Sequence, residues 1–162
     1  MPLIKNGTYA EDGFACVADD AALPPGGAVV SLARFKKERA TLLARNAPLG
    51  VRLKSDESPE ALGEDVQRLS LVVLEFPKFR DGRAFSWARM LRTRLGFRGE
   101  IRAAGDFLYD QLAFMNRVGF DAFEVSEKIT PELLQRALKE MTQVYQSSAD
   151  GRKTIRQLRA GA

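Results

Sequence analysis

The residues of this chain that could do chemistry are arginines and carboxylates grouped around one short segment. Residues 75–83, EFPKFRDGR, follow an apolar run and precede a helical pattern. Arg80, Arg83 and the free N–H groups at the start of that helix are suited to an oxyanion, because guanidinium groups and helix N-termini both bind negative charge. Lys78 and Arg102 complete this candidate anion- or partner-binding set. Asp81 and Gly82 are common in turns and at helix starts, so their presence here does not require a ligand.

Two carboxylates near these arginines are the candidates for proton transfer. Glu75 lies at the end of the apolar run, and Asp106 follows a later one. A catalytic acid or base needs neighbours that shift its pKa, and a capping role explains Asp106 equally well. The sequence therefore leaves open whether the protein is an enzyme.

The composition excludes several classes of site. Among 162 residues there is one cysteine, Cys16, and no histidine. Disulfides within the chain, cysteine-rich metal sites and histidine-dependent catalytic triads are therefore ruled out. No P-loop motif occurs, and no GxGxxG follows the first predicted strand. We accordingly expect neither a cofactor nor a metal.

The positive charge of the chain is unevenly distributed. The formal net charge is +4, but residues 78–102 hold eight basic and two acidic side chains, a local excess of six positive charges. Such a cluster indicates an acidic partner or an anionic ligand, although a solvated helix face has the same composition. Nucleic acid is a weaker interpretation, because the total charge is modest and no recognition motif is present.

The elements that must position these residues alternate along the chain. Five apolar runs, each followed by a helical pattern, predict five strand–helix units and therefore parallel strands joined by right-handed crossovers. The fold class is α/β. An open parallel sheet with helices on both faces, flavodoxin-like, is the first expectation, and a partial (β/α) barrel is the alternative. The predicted strands are 28–32, 49–53, 71–76, 100–104 and 121–125, and the predicted helices include 34–46 and 133–146.

Four of these strands carry a single charge each, and the sign alternates. Arg52, Glu75, Arg102 and Glu124 occupy successive strands. An unpaired charge inside a sheet is very costly, so we expect these side chains to form ion pairs. Whether the pairs are a structural network or part of a ligand site is open, because ligand sites of α/β folds lie at the same strand ends.

Length and hydropathy predict one domain over residues 1–162, with 1–27 as an N-terminal extension and 150–162 as a flexible basic tail. No apolar stretch is long enough to cross a bilayer, and the N-terminus lacks the apolar run of a secretory signal, so we expect a cytoplasmic protein without a membrane partner. A homodimer formed through a sheet edge or a helix face is an option.

Four segments together resemble a known family. Residues 74–86 (LEFPKFRDGRAFS), 99–106 (GEIRAAGD), 110–111 (DQ) and 117–123 (RVGFDAF) are similar to the central signature of the bacterial domain of unknown function 934 family. The resemblance covers nearly the whole chain. It implies a small cytoplasmic accessory protein of sulfur assimilation, encoded beside sulfite or nitrite reductases and often labelled an oxidoreductase. It supplies no established catalytic residues.

Two functions follow as hypotheses. The first is an accessory protein that meets a sulfite or nitrite reductase, or a small oxyanion, through the basic segment 78–102. The second is a small enzyme acting on an anionic metabolite, in which Arg80, Arg83 and Arg102 hold the anion and Asp106 or Glu75 moves a proton.

Overall fold

The computed structural model describes residues 1–126 and 128–161. Its strands are β1 (Leu3–Lys5), β2 (Thr8–Ala10), β3 (Phe14–Cys16), β4 (Gly27–Ser31), β5 (Leu49–Leu53), β6 (Leu71–Phe76), β7 (Glu100–Gly105) and β8 (Ala122–Glu124). Its α-helices are α1 (Leu32–Lys37), α2 (Arg39–Leu43), α3 (Arg83–Thr93), α4 (Leu112–Val118), α5 (Pro131–Glu140) and α6 (Ile155–Arg159). Two 3₁₀ helices cover Pro59–Arg68 and Tyr109–Gln111.

The α/β class and the five predicted strands are confirmed as β4 to β8. These strands are parallel, and each one pairs with the next along the chain. Sequential order with right-handed crossovers places the connecting helices on a single face of the sheet. The strand order of β4 to β8 is therefore that of a partial (β/α) barrel, the second of the two folds predicted from the sequence. A flavodoxin-like sheet would need a reversal of strand order and helices on both faces.

The sheet curls into a half-barrel, and a short connection shows how strongly it curls. The full strand order is β2-β1-β8-β7-β6-β5-β4-β3, so β2 and β3 are the two outer strands. Only residues 11–13 join them, and four Cα–Cα steps span at most about 15 Å. A flat sheet of eight strands would hold its edges roughly 34 Å apart. The helix-free face is therefore the concave inner face of the half-barrel.

The two faces of the sheet differ in chemistry because side chains alternate along each strand. The outer face carries residues such as Val51, Leu74 and Ile101, which form one apolar core with the helices. The inner face carries a much smaller apolar cluster, which includes Val73 and Ala104. The rest of the inner face is charged, and this is where the alternating strand charges lie.

Helix starts follow the local sequence closely. Ser31, Ser58 and Thr130 each accept a hydrogen bond from a backbone N–H of the first turn that follows. The predicted helix 34–46 is interrupted at Glu38, which separates α1 from α2. The helix predicted over 133–146 ends earlier, at Glu140.

The two terminal segments are tied to the sheet and to α4. The N-terminal extension forms β1 and β2 at one edge and β3 at the other, and none of these three strands was predicted. In the C-terminal segment, Asp150 accepts a hydrogen bond from Arg117 of α4 at 2.9 Å. The flexible basic tail expected over 150–162 remains a prediction, although its first residues contact the domain.

Candidate functional site

The charged residues of the inner face form one network. Arg52 Nη1 lies 3.4 Å from Glu75 Oε1, and Arg52 Nη2 lies 3.3 Å from Glu124 Oε2. Arg102 Nη1 lies 3.6 Å from Glu124 Oε1, so Glu124 faces both arginines. The predicted pairing of the four strand charges is confirmed. Register explains it, because Arg52 and Arg102 both lie opposite Val73 of the central strand β6.

Arg102 is the most buried member of this network, with only 2% of its side chain exposed. Its guanidinium donates to both carboxylate oxygens of Asp12, at 2.7 and 3.1 Å, and to Glu100 Oε1 at 2.9 Å. Burial acts to lower the pKa of Arg102, but the hydrogen bonds to Asp12 and Glu100 outweigh it and raise the pKa. Arg102 is thus a charged structural centre that ties the 11–13 connection to β7.

A cavity of about 340 Å³ opens where β5 to β8 end. Glu75 and Asp106 both line it, and so do Arg52 and Glu124. The structure therefore brings together the two carboxylates that the sequence singled out for proton transfer. We call this space the rim cavity. It lies at the carboxyl ends of parallel strands, where α/β folds bind their ligands.

A tight turn after β7 shapes one wall of the rim cavity. Gly105 has φ of +110°, a conformation that other residues rarely adopt. A Cβ at this position would lie 2.3 Å from the backbone oxygen of Phe76. The turn also lets Asp106 N donate to that oxygen at 2.8 Å. Glycine is therefore required to bring Asp106 beside the end of β6.

Asp106 also holds the loop that follows β6. Its Oδ2 accepts a hydrogen bond from Phe79 N at 3.3 Å, and Gln111 Nε2 donates to Phe79 O at 2.9 Å. The loop carrying Lys78 and Arg80 is thus anchored by the segment that follows β7. This is a positioning role, and it is independent of any proton transfer.

The arginines expected to form an anion site have different environments. Arg83 donates to Asp81 through Nε at 2.9 Å and Nη2 at 2.7 Å, and also to Ser55 Oγ at 2.9 Å. The hydrogen bonds from Arg83 hold the pKa of Asp81 well below its usual range. Arg80 is exposed and packs its guanidinium 5.5 Å from the ring centre of Phe79. Arg102 is buried in ion pairs of its own, so the three arginines share no contact.

The other basic residues of the segment 78–102 divide into two groups. Arg92 donates to the backbone oxygens of Phe97, Gly99 and Gly119 and pairs with Asp121, which makes it structural. Arg94 pairs with Glu60 at 3.0 Å. A second group is exposed and has no ion-pair partner among the residues that the structure describes: Lys78, Arg80, Arg89 and Arg98.

Sequence reasoning missed one contributor to the inner face, Asp12, and missed part of the surroundings of Arg52. Asp12 lies in a polar segment that carries no strand signal, and only the curl of the sheet brings it to Arg102. Arg52 was noted as a strand charge, but it also lines a second cavity of about 380 Å³ beside the rim cavity. The exposed thiol of Cys16 lines that second cavity as well.

Within residues 1–126 and 128–161, no three cysteine or acidic side chains are grouped as a metal ion would require. None of the helices in the same described residues is both long enough and apolar enough to cross a membrane.

Comparison with known proteins supplies the family. A search of curated proteins and a search of solved structures each returned no match. The family model described as a bacterial protein of unknown function, DUF934, matches residues 50–156. That stretch runs from β5 into α6. It contains all four strand charges and the loop 77–82. The resemblance seen in the sequence is confirmed, and the chain belongs to the DUF934 family of bacterial proteins.

Proposed function

We propose that this protein is an accessory of assimilatory sulfur metabolism that binds an acidic surface of a sulfite or nitrite reductase. The contact surface is formed by the exposed cations Lys78, Arg80, Arg89 and Arg98, which we call the α3 basic surface. The observation that carries the proposal is that these four cations are exposed and unpaired within the described residues. The resemblance to the family suggests the reductase as partner.

The distribution of these cations favours a protein partner over a small oxyanion. Lys78 and Arg80 precede α3, Arg89 lies within it, and Arg98 follows it. A helix of this length spans about 16 Å. One sulfite or sulfate ion is too small to contact cations at both ends of the helix, whereas an acidic protein surface can do so.

Two of the arginines expected to hold an oxyanion are also already neutralised. Asp81 occupies the guanidinium of Arg83, and Asp12 with Glu100 occupies that of Arg102. A small anion would have to displace these carboxylates. A partner that uses the free cations displaces nothing.

A matched pair of variants tests the proposal. The first variant replaces all four cations of the α3 basic surface by serine. The control replaces four exposed cations on other helices by serine, so that both proteins have the same net charge: Lys36, Lys37, Arg156 and Arg159. Affinity for a sulfite or nitrite reductase from the same organism is measured for both variants and for the wild type by surface plasmon resonance.

Exposed charge pairs contribute about 0.5 kcal/mol each, so loss of four is expected to weaken binding about 30-fold. Wild-type affinity should also fall as salt rises from about 0.05 to 0.5 M, because the screening length shortens. Equal affinities of the two variants, or binding insensitive to salt, would refute the assignment of this surface.

The rim cavity supports a second function, a small enzyme acting on an anionic metabolite. The observation in its favour is that Glu75 and Asp106 line the same cavity. Arg52, rather than the three arginines singled out in the sequence, would hold the anionic group. Turnover of a small metabolite that carries a carboxylate would support this function if it disappears in Glu75→Gln and persists in Arg159→Gln. Equal turnover in the two variants would reject it.

A further inference from the structure

The rim cavity has a charge balance that selects among small ligands. Three carboxylates line it, from Glu75, Asp106 and Glu124, and they face two positive groups, the guanidinium of Arg52 and the terminal ammonium of Met1, a residue that also lines the cavity. Glu124 is shared with Arg102, but the wall still carries more negative than positive charge. An inorganic oxyanion entering this space would meet more repulsion than attraction. A ligand with a cationic group is favoured.

Arg52 favours a ligand that carries a negative group in addition to the cationic one. Its contacts to Glu75 and Glu124 are 3.3–3.4 Å long, whereas hydrogen bonds between ions are usually about 2.7–2.9 Å. Its Nε is buried and has no hydrogen-bond partner among the described residues. A guanidinium so loosely held can turn to make a closer, bidentate contact with a carboxylate.

We propose that the rim cavity binds a free α-amino acid, whose carboxylate pairs with Arg52 and whose ammonium group lies between Glu75 and Asp106. A volume of about 340 Å³ suits a molecule of this size. Asp106 uses Oδ2 to accept from Phe79 N, and its Oδ1 makes no hydrogen bond within the described residues, so it can accept from the ammonium. The site shares no residue with the α3 basic surface, and the proposal does not depend on reductase binding.

A ligand with both an ammonium group and a carboxylate satisfies the site, whereas a ligand with only one of these groups does not. A simple amine leaves Arg52 with its loose contacts. A simple carboxylate leaves Glu75 and Asp106 without a counter-charge in a partly enclosed space. Because contacts between charged groups are the stronger kind of hydrogen bond, loss of one half should weaken binding at least about tenfold.

The test uses the full chain and the twenty standard amino acids. Saturation-transfer NMR identifies those that bind, and calorimetric titration gives their affinities. For the tightest binder, the corresponding amine without the carboxylate and the corresponding acid without the amine are titrated in parallel. Sodium sulfate serves as the oxyanion probe. We expect at least one amino acid to bind, and each half-molecule and sulfate to bind at least about tenfold more weakly.

Three variants locate the site. Arg52→Gln and Glu75→Gln are each expected to weaken amino-acid binding at least about tenfold, whereas Arg159→Gln, an equivalent change on exposed α6, should leave it unchanged. Thermal unfolding confirms that each variant folds. If Arg52→Gln does not fold, Glu75→Gln decides, because it keeps the side-chain shape and leaves Arg52 beside Glu124. Absence of binding by all twenty amino acids, binding unaffected by Glu75→Gln, or tighter binding of sulfate would overturn the proposal.

Discussion

Replacing Arg102 by methionine is expected to destabilise the protein by about 3 kcal/mol. Methionine approximates the length of the arginine stem but removes the charge. The substitution leaves Glu100, 9% exposed, and Glu124, 16% exposed, without their shared cation. It also releases Asp12, so the connection between β2 and β3 loses its anchor on the inner face.

The magnitude follows from the exposure of the groups left behind. Removing one partner of a fully buried ion pair costs about 3–5 kcal/mol. The lower end applies here for three reasons. Asp12 is 39% exposed and can be hydrated, and Glu100 keeps Lys5 at 2.6 Å. Glu124 likewise keeps its contact with Arg52.

Urea unfolding followed by circular dichroism measures this loss. With a slope of about 2 kcal/mol per molar urea, the midpoint should fall by about 1.5 M. Arg94→Met is the control, because Arg94 pairs with Glu60 where both side chains are more than half exposed, and its loss should cost less than about 0.5 kcal/mol. Equal midpoints for the two variants would show that the inner-face network does not stabilise the fold.

Three further outcomes are expected. Gly105→Ala should cost more than about 2 kcal/mol, because the new Cβ would collide with the Phe76 carbonyl at a positive φ; a thermal midpoint equal to that of the wild type would contradict the geometry. Phe76→Ala should cost about 3–5 kcal/mol, since this ring is 1% exposed and packs against Phe85 and two other aromatic rings; a fall in the urea midpoint of less than about 0.5 M, worth less than about 1 kcal/mol at about 2 kcal/mol per molar, would argue against that packing. Asp81 has a lower pKa in the folded state than in the unfolded state, so its contribution to stability is present above about pH 4 and is lost as the pH falls further. The thermal midpoint of Asp81→Asn should therefore fall less between neutral and acid pH than that of the wild type, and parallel pH profiles would rule this contribution out.

The alternation of apolar runs and helical patterns was enough to predict β4 to β8, because a buried parallel strand is apolar along its whole length. The same reasoning identified the strand charges, since a charge within such a strand stands out. It also predicted that they pair, because a buried charge without a partner is too costly to retain. These conclusions depend on local composition and on general energetics.

The arginine site was harder to predict because a guanidinium has the same sequence signature whether it is free or bound. Asp81 lies only two residues from Arg83, and the turn between them lets its carboxylate occupy that arginine. Arg80 in the same loop has no such carboxylate among the described residues. Only the coordinates separate the free cations of the α3 basic surface from those already neutralised.

The sequence by itself determined the α/β class, the five parallel strands and the charges they carry. Strand order, the curl of the sheet and the pairing of Asp12 with Arg102 were decided only by tertiary structure. The physical reason is separation along the chain: Asp12 and Arg102 are 90 residues apart. No local pattern encodes that contact, which exists because three residues connect the two edges of an eight-stranded sheet and hold its charged face around a cavity.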